Sequence, residues 1–194
     1  NPSMMTPEEQ LALGANVNPI MGLLGATAYH GSPYLFDKFD LEKAGSNSGQ
    51  DYGYGTYLSS SPDVANAYTK AFGSKNNKDV GNVYKVDIPD EYMPKMLNWF
   101  SYQQTPEVKE IFKKNGLPIE GSGEDLYFEA IKKAGSSDEN KSGFQKAAEY
   151  LDSIGIKGVK YPNRAVGNTQ DAQNYVLFNP SQIKILETKK GLLD

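Results

Sequence analysis

The chain has 194 residues and a mass of 21.3 kDa, with 20 Lys plus Arg against 24 Asp plus Glu, a net charge of −4 and a pI near 5.1. One domain is expected at this length, and the charge argues against a general polyanion binder, because no field steers the whole molecule to nucleic acid or an anionic membrane. With no Cys and a single His, His30, the sequence excludes disulfides, thiolate metal sites, a Cys nucleophile and multi-histidine metal sites, and a Ser-His-Asp hydrolase would have to use His30.

The apolar stretch Ile20–Ala28 is broken by Gly22, Gly25 and Thr27, too short to span a bilayer. No cation precedes Lys38, so the start lacks the charged beginning of a signal peptide. Localisation stays open between the cytoplasm and delivery into a host cell. The chain opens at Asn1 rather than Met, which points to a fragment of something longer. After a short helix expected at Pro7–Leu13, Ala26–His30 reads as a strand ending in the turn signal Gly31-Ser32-Pro33. Residues 41–55 are dense in Gly, Ser and Asn and read as a long loop. Ser61-Pro62-Asp63 opens a helix that Gly73 is expected to stop, and Val83–Ile88 alternates as a half-buried strand. From about 90 to 154 the pattern is helical: one helix begins at Thr105-Pro106 and stops at Gly116, a second covers Glu124–Ala134, a third Lys141–Ile154. Strands return at Ile156–Tyr161, Tyr175–Phe178 and Ile183–Thr188, with a polar loop, Pro162–Gln173, between the first two. Such segregation reads as α+β.

Three segments carry chemistry: Tyr29-His30-Gly31-Ser32 at a strand end, Gly53-Tyr54-Gly55-Thr56-Tyr57-Leu58-Ser59 leading into a helix with Tyr68, and Gln173-Asn174-Tyr175-Val176-Leu177-Phe178. Singly each has an ordinary reading: a structural His, a loop turning into an aromatic strand, a plain β-strand, a core Tyr68. Together and in order they resemble the ADP-ribosyltransferase fold, in the diphtheria-toxin and poly(ADP-ribose) polymerase branch with its His-Tyr-Glu signature. Tyr57 and Tyr68 are 11 residues apart, as that pattern asks, and Gly53-x-Gly55-x-Tyr57 is in place. Phe36-Asp37-Lys38-Phe39-Asp40 after His-Gly-Ser resembles the ADP-ribosyltransferase-like domains of phage and mobile-element polyvalent proteins. The resemblance covers residues 26–72 and 155–188.

It implies a single catalytic domain over 1–194, with split antiparallel β-sheets and a helical insert at about 90–154. It implies NAD as substrate, no metal, and transfer of ADP-ribose to an unknown protein or nucleic-acid acceptor. Tyr57 and Tyr68 would sandwich the nicotinamide, suited to a planar ring. Gly31 would bond the carboxamide through its backbone, and His30 would fix a ribose hydroxyl on the adenosine side, with Ser32 nearby. Ser46 and Asn47 would touch the adenosine ribose, unless that loop is simply surface. Arg164, the only Arg beside 19 Lys, sits in the loop that meets the acceptor, where it would also be placed to grip a diphosphate or lie solvated. Gln173 and Asp171 share that loop. Trp99, Phe100 and Tyr102 in the insert read as core ahead of a target-binding face.

The departure is at Asn174, which stands where the family has a Glu that bonds the nicotinamide-ribose 2′-hydroxyl. A neutral amide still accepts a hydrogen bond but brings no charge, and losing one preorganised stabiliser costs ~10²–10³ in rate. Asp171 is a candidate replacement carboxylate. The leading expectation is a mono-ADP-ribosyltransferase; the alternatives are an NAD glycohydrolase, a catalytically inactive NAD- or ADP-ribose-binding module, and a structural domain binding no nucleotide. One His and one Arg disfavour the RNA 2′-phosphotransferase branch. Lys109, Lys113 and Lys114, with Lys132 and Lys133, read as solvated helix faces.

Overall fold

The computed structural model describes residues 26–40, 51–75, 81–136, 141–164 and 171–190. Seven strands hydrogen-bond into one sheet: β1 (Ala26–Ser32), β2 (Thr56–Ser59), β3 (Asn82–Ile88), β4 (Met96–Asn98), β5 (Gly158–Pro162), β6 (Gln173–Leu177) and β7 (Lys184–Lys190). Their spatial order is β4-β5-β6-β2-β1-β3-β7, antiparallel throughout except for the parallel β4–β5 pair. Four helices, α1 (Pro62–Lys75), α2 (Pro106–Lys114), α3 (Gly123–Lys133) and α4 (Lys141–Ile154), complete the α+β architecture.

The expected α+β class stands, with all seven strands in one continuous ladder. Its weak point lies between β1 and β2. β1 and β2 share a single register pair, Tyr29↔Ser59, whereas β1 and β3 pair along seven residues. Beyond Tyr29 no further register pair joins the two central strands.

The pleat sends alternate side chains to opposite faces. Leu58, Tyr84, Val86, Tyr175 and Leu177 form a core on one face with Tyr92 and Met96. Val159, Tyr161 and Val176 face the other way and merge with Val108, Phe112, Leu126, Tyr127, Ala147 and Leu151 of the helices. The helical segment is thus packed on the sheet, and it contributes β4, a strand that periodicity over three residues does not reveal. β2 lies between the expected loop and α1, where the element order named no strand; its four residues are too few for alternation to register.

Local chemistry explains the helix ends. Thr105 Oγ1 accepts from the Val108 N–H, and Gly116 follows α2 at φ 64°. Ser122 caps α3 in a reciprocal box with Asp125. That pairing holds the Asp125 carboxyl below its usual range. α1 runs through Gly73 to Lys75, against the expected stop, because nothing forces a glycine inside a helix into a left-handed cap.

Candidate active site

His30, on β1, bridges to β2. Its Nδ1 lies 2.8 Å from the carbonyl oxygen of Tyr57. A carbonyl only accepts, so Nδ1 carries the proton. Burial pushes the imidazole below its ordinary 6.5, with the Tyr57 carbonyl opposing that shift. The ring is therefore neutral at physiological pH and its Nε2 is a lone-pair acceptor. Phe39 meets the ring edge-on at 5.3 Å, and Phe36, stacked on Tyr84 at 4.1 Å, lies 6.1 Å away. The Tyr84 hydroxyl pins this segment, donating to Tyr34 O and accepting from the Phe36 N–H.

Gly31 lies where α1 crosses β1. A Cβ there would run into the Ala65 carbonyl, with the carbonyl carbon at 2.9 Å. Only a glycine permits that approach, and it fixes the height of Tyr68 above the sheet. Ser32 is buried and its Oγ accepts from the Tyr34 N–H at 3.1 Å, so it shapes the turn after β1.

Tyr57 is half-buried on the helix side of the sheet. Its hydroxyl donates to Gly53 O at 2.8 Å and accepts from the Tyr52 N–H at 3.3 Å. Burial pushes its phenol up, so both bonds are made by the protonated form. The ring is thereby held and the hydroxyl is committed to the turn. Gly53 adopts φ 106° to make that turn. Tyr52 stacks on Tyr161 at 3.9 Å, and the phenols of Tyr57 and Tyr68 together with the Asp51 carboxylate are electrostatic neighbours of Tyr161, pushing it up beyond the effect of burial. Tyr68, also pushed up by burial, closes the group from α1.

Asn174 pairs across the sheet with Ser59 on one side and Tyr161 on the other. It is 5% exposed; its Nδ2 donates to Asn163 Oδ1 at 3.3 Å, and its Oδ1 has no hydrogen-bond partner. An unmet buried acceptor costs about 1–3 kcal/mol. The Gln173 backbone exchanges bonds with Ser60 at 2.8 and 2.9 Å, fixing the entry to β6. Asp171 is exposed in the turn before it. Arg164 is exposed, its guanidinium 3.9 Å above the Phe100 ring.

The register puts Tyr57 and Asn174 on one sheet face, with Tyr68 an electrostatic neighbour of Tyr161 on that side, whereas the His30 ring lies on the opposite face with Tyr84 and reaches across only to the Tyr57 carbonyl. Ser46 and Asn47 lie outside the described residues. Trp99 is buried as expected, while Phe100 at 36% and Tyr102 at 71% are exposed, which corrects their reading as core. The reason is the following turn, where Gln104 bonds the Asn98 and Ser101 backbones and turns the chain outward. Sequence reasoning missed Tyr52, Tyr161 and Asn163. Counting back from Asn174 across a β5–β6 hairpin would have found Tyr161 and Asn163; nothing local signalled Tyr52.

A seven-stranded mixed sheet with several helices is consistent with an ADP-ribosyltransferase fold. Comparison with family models agrees: the model for ADP-ribosyltransferase in polyvalent proteins matches residues 26–192, which includes the helical segment. The chain belongs to that family, and its general activity is ADP-ribosyl transfer, for which such enzymes use NAD as donor. No curated protein matches the chain. Among the described residues no helix is long and apolar enough to cross a membrane, and no three His, Asp or Glu side chains group as metal ligands.

Proposed function

We propose that the chain is a single catalytic domain that cleaves the nicotinamide–ribose bond of NAD and transfers one ADP-ribose to a macromolecular acceptor, in a phage or mobile-element setting. The observation that carries this reading is the orphaned Asn174 Oδ1, buried on the same sheet face as Tyr57 and offset from it by one pleat. The nicotinamide-ribose 2′-hydroxyl, donating to that oxygen, satisfies it. Asn174 takes the position of the family's Glu as an acceptor without charge, which fits single transfer ahead of chain growth.

The remaining groups follow. Tyr57 and Tyr68 hold the nicotinamide between rings, and Gly31 offers its backbone on the β1 edge that has no β2 partner. His30 accepts a ribose hydroxyl at Nε2. The bond from C1′ to the nicotinamide nitrogen breaks with its electron pair leaving on the neutral nicotinamide. The ribosyl oxocarbenium so formed is taken by an acceptor nucleophile, whose proton passes to solvent. No side chain need shuttle a proton, so one neutral His suffices, and catalysis is orientation and electrostatics. Arg164 and Asp171 face the incoming acceptor.

Purified protein and a His30→Ala control are incubated with adenylate-labelled NAD, and free nicotinamide and labelled macromolecule are quantified. Nicotinamide release by the parent alone, with label on an acceptor, is the expected result. Release with no labelled acceptor would make the chain an NAD glycohydrolase. Binding without release would make it an inactive NAD- or ADP-ribose-binding module. Neither binding nor release overturns the proposal.

A further inference from the structure

Asn163 adjoins Arg164 in the loop after β5, is 7% exposed, and faces Asn174 across the β5–β6 pair. Its backbone N–H donates to Ala172 O at 2.8 Å, closing the base of the loop. A carboxamide presents an acceptor at one end and a donor at the other, and a half-turn about its last bond exchanges them. Which end of Asn174 meets a ligand is therefore a separate question from whether Asn174 is there. Asn163 Oδ1 only accepts, and it takes Asn174 Nδ2 at 3.3 Å. The end left over is the oxygen, and that oxygen is the buried atom without a partner.

We propose that Asn163 is a positioning residue: by accepting from Asn174 Nδ2 it holds that amide with Oδ1 turned to the ligand, and so makes the site selective for a ligand that offers a hydrogen-bond donor at that point. This rests on the reading of NAD as substrate and adds to it the group that sets selectivity at the ribose 2′ position. The amide pair does by orientation what a carboxylate, with two equivalent oxygens, does without a partner. It also ties the acceptor loop to the ribose contact, since one residue closes the loop and aims the amide.

The test is calorimetric binding of NAD and of an NAD analogue with fluorine in place of the nicotinamide-ribose 2′-hydroxyl. Fluorine offers no proton and is set against a fixed acceptor oxygen, so the parent binds NAD ~10-fold more tightly than the analogue, the worth of one hydrogen bond. Asn163→Leu removes the acceptor and frees the Asn174 amide to turn its Nδ2 toward fluorine; the ratio falls to within about twofold. Asn163→Asp keeps an acceptor-only partner and keeps the ratio, a rescue that mere space-filling does not predict. A folded Leu variant that keeps the full ratio overturns the positioning role alone. If the Leu variant does not fold, the Asp variant decides: a retained ratio supports the role and a collapsed one overturns it. A parent that binds both dinucleotides equally overturns the contact itself. A parent that binds neither overturns the NAD reading, and this proposal with it.

Discussion

Gly31 is the position at which one methyl group tests both the fold and the candidate site. Its backbone is tied into the sheet by the register pair with Val83, so retreat from α1 would strain that ladder. An added Cβ meets the Ala65 carbonyl oxygen at once, with Ala65 C at 2.9 Å and Thr69 Cγ2 at 3.1 Å. Side-chain Cβ atoms essentially never approach within 3.0 Å, so α1 must lift. Overpacking against backbone costs about 1–3 kcal/mol, and with two rigid elements facing each other the upper figure applies. At about 2–4 °C per kcal/mol for a chain of this size, Gly31→Ala lowers Tm by about 6–12 °C. Because Tyr68 rides on α1, NAD affinity falls as well. Gly116→Ala is the control: φ is 64° and nothing lies within 4 Å, so the left-handed backbone alone costs about 1 kcal/mol. That variant loses only about 2–4 °C and binds NAD as the parent does. Thermal melts and calorimetry measure both. A Gly31→Ala protein melting within about 2 °C of the parent would refute the close approach of α1 to β1.

Four further outcomes are expected. Because His30 is neutral in the fold and its pKa is depressed by burial, below pH about 6.5 the unfolded chain binds a proton that the folded chain does not; stability then falls as pH falls, by up to ~1.4 kcal/mol per unit, and denaturant titrations of His30→Gln lose that increment. Tyr57→Phe removes two hydrogen bonds to the turn and costs about 1–3 kcal/mol in chemical denaturation while leaving NAD affinity within a few-fold, whereas Tyr57→Ala abolishes binding; loss of binding in the Phe variant would show that the hydroxyl contacts ligand. Asn174→Glu restores a carboxylate at the ribose and raises nicotinamide release by ~10²-fold, and an unchanged rate in a folded variant would count against the alignment of β6 with the family's Glu strand. Arg164→Ala leaves NAD cleavage in the absence of acceptor unchanged and lowers transfer to it, measured as the ratio of labelled acceptor to free nicotinamide.

Much of the fold was legible because its helices announce their ends: Thr105-Pro106, Gly116 and Gly155 are local signals with local causes. Of the long strands, β3 shows the alternation of a half-buried strand. What stayed hidden is non-local. β4 and β2 are three and four residues long and owe their strand character to neighbours far along the chain. His30, Tyr57, Tyr68 and Asn174 were singled out because family spacing marks them. Tyr161 and Asn163 were not, because their importance lies in a cross-strand register that no spacing along the chain encodes. Nor could composition have told that Asn174 leaves an oxygen unmet, since satisfaction of a buried amide is a property of its surroundings.

The two halves of the sheet are hinged on the single Tyr29↔Ser59 pair, with the His30–Tyr57 bond spanning the gap beside it. On the proposed reading, a dinucleotide seated between those strands acts as a strut, meeting His30 and Gly31 on one half and Tyr57 and Asn174 on the other. Occupancy then stiffens the molecule as a whole. Backbone amides flanking the hinge exchange more slowly with solvent, and resistance to unfolding climbs with the logarithm of donor concentration. On that reading, depletion of NAD removes the brace together with the substrate.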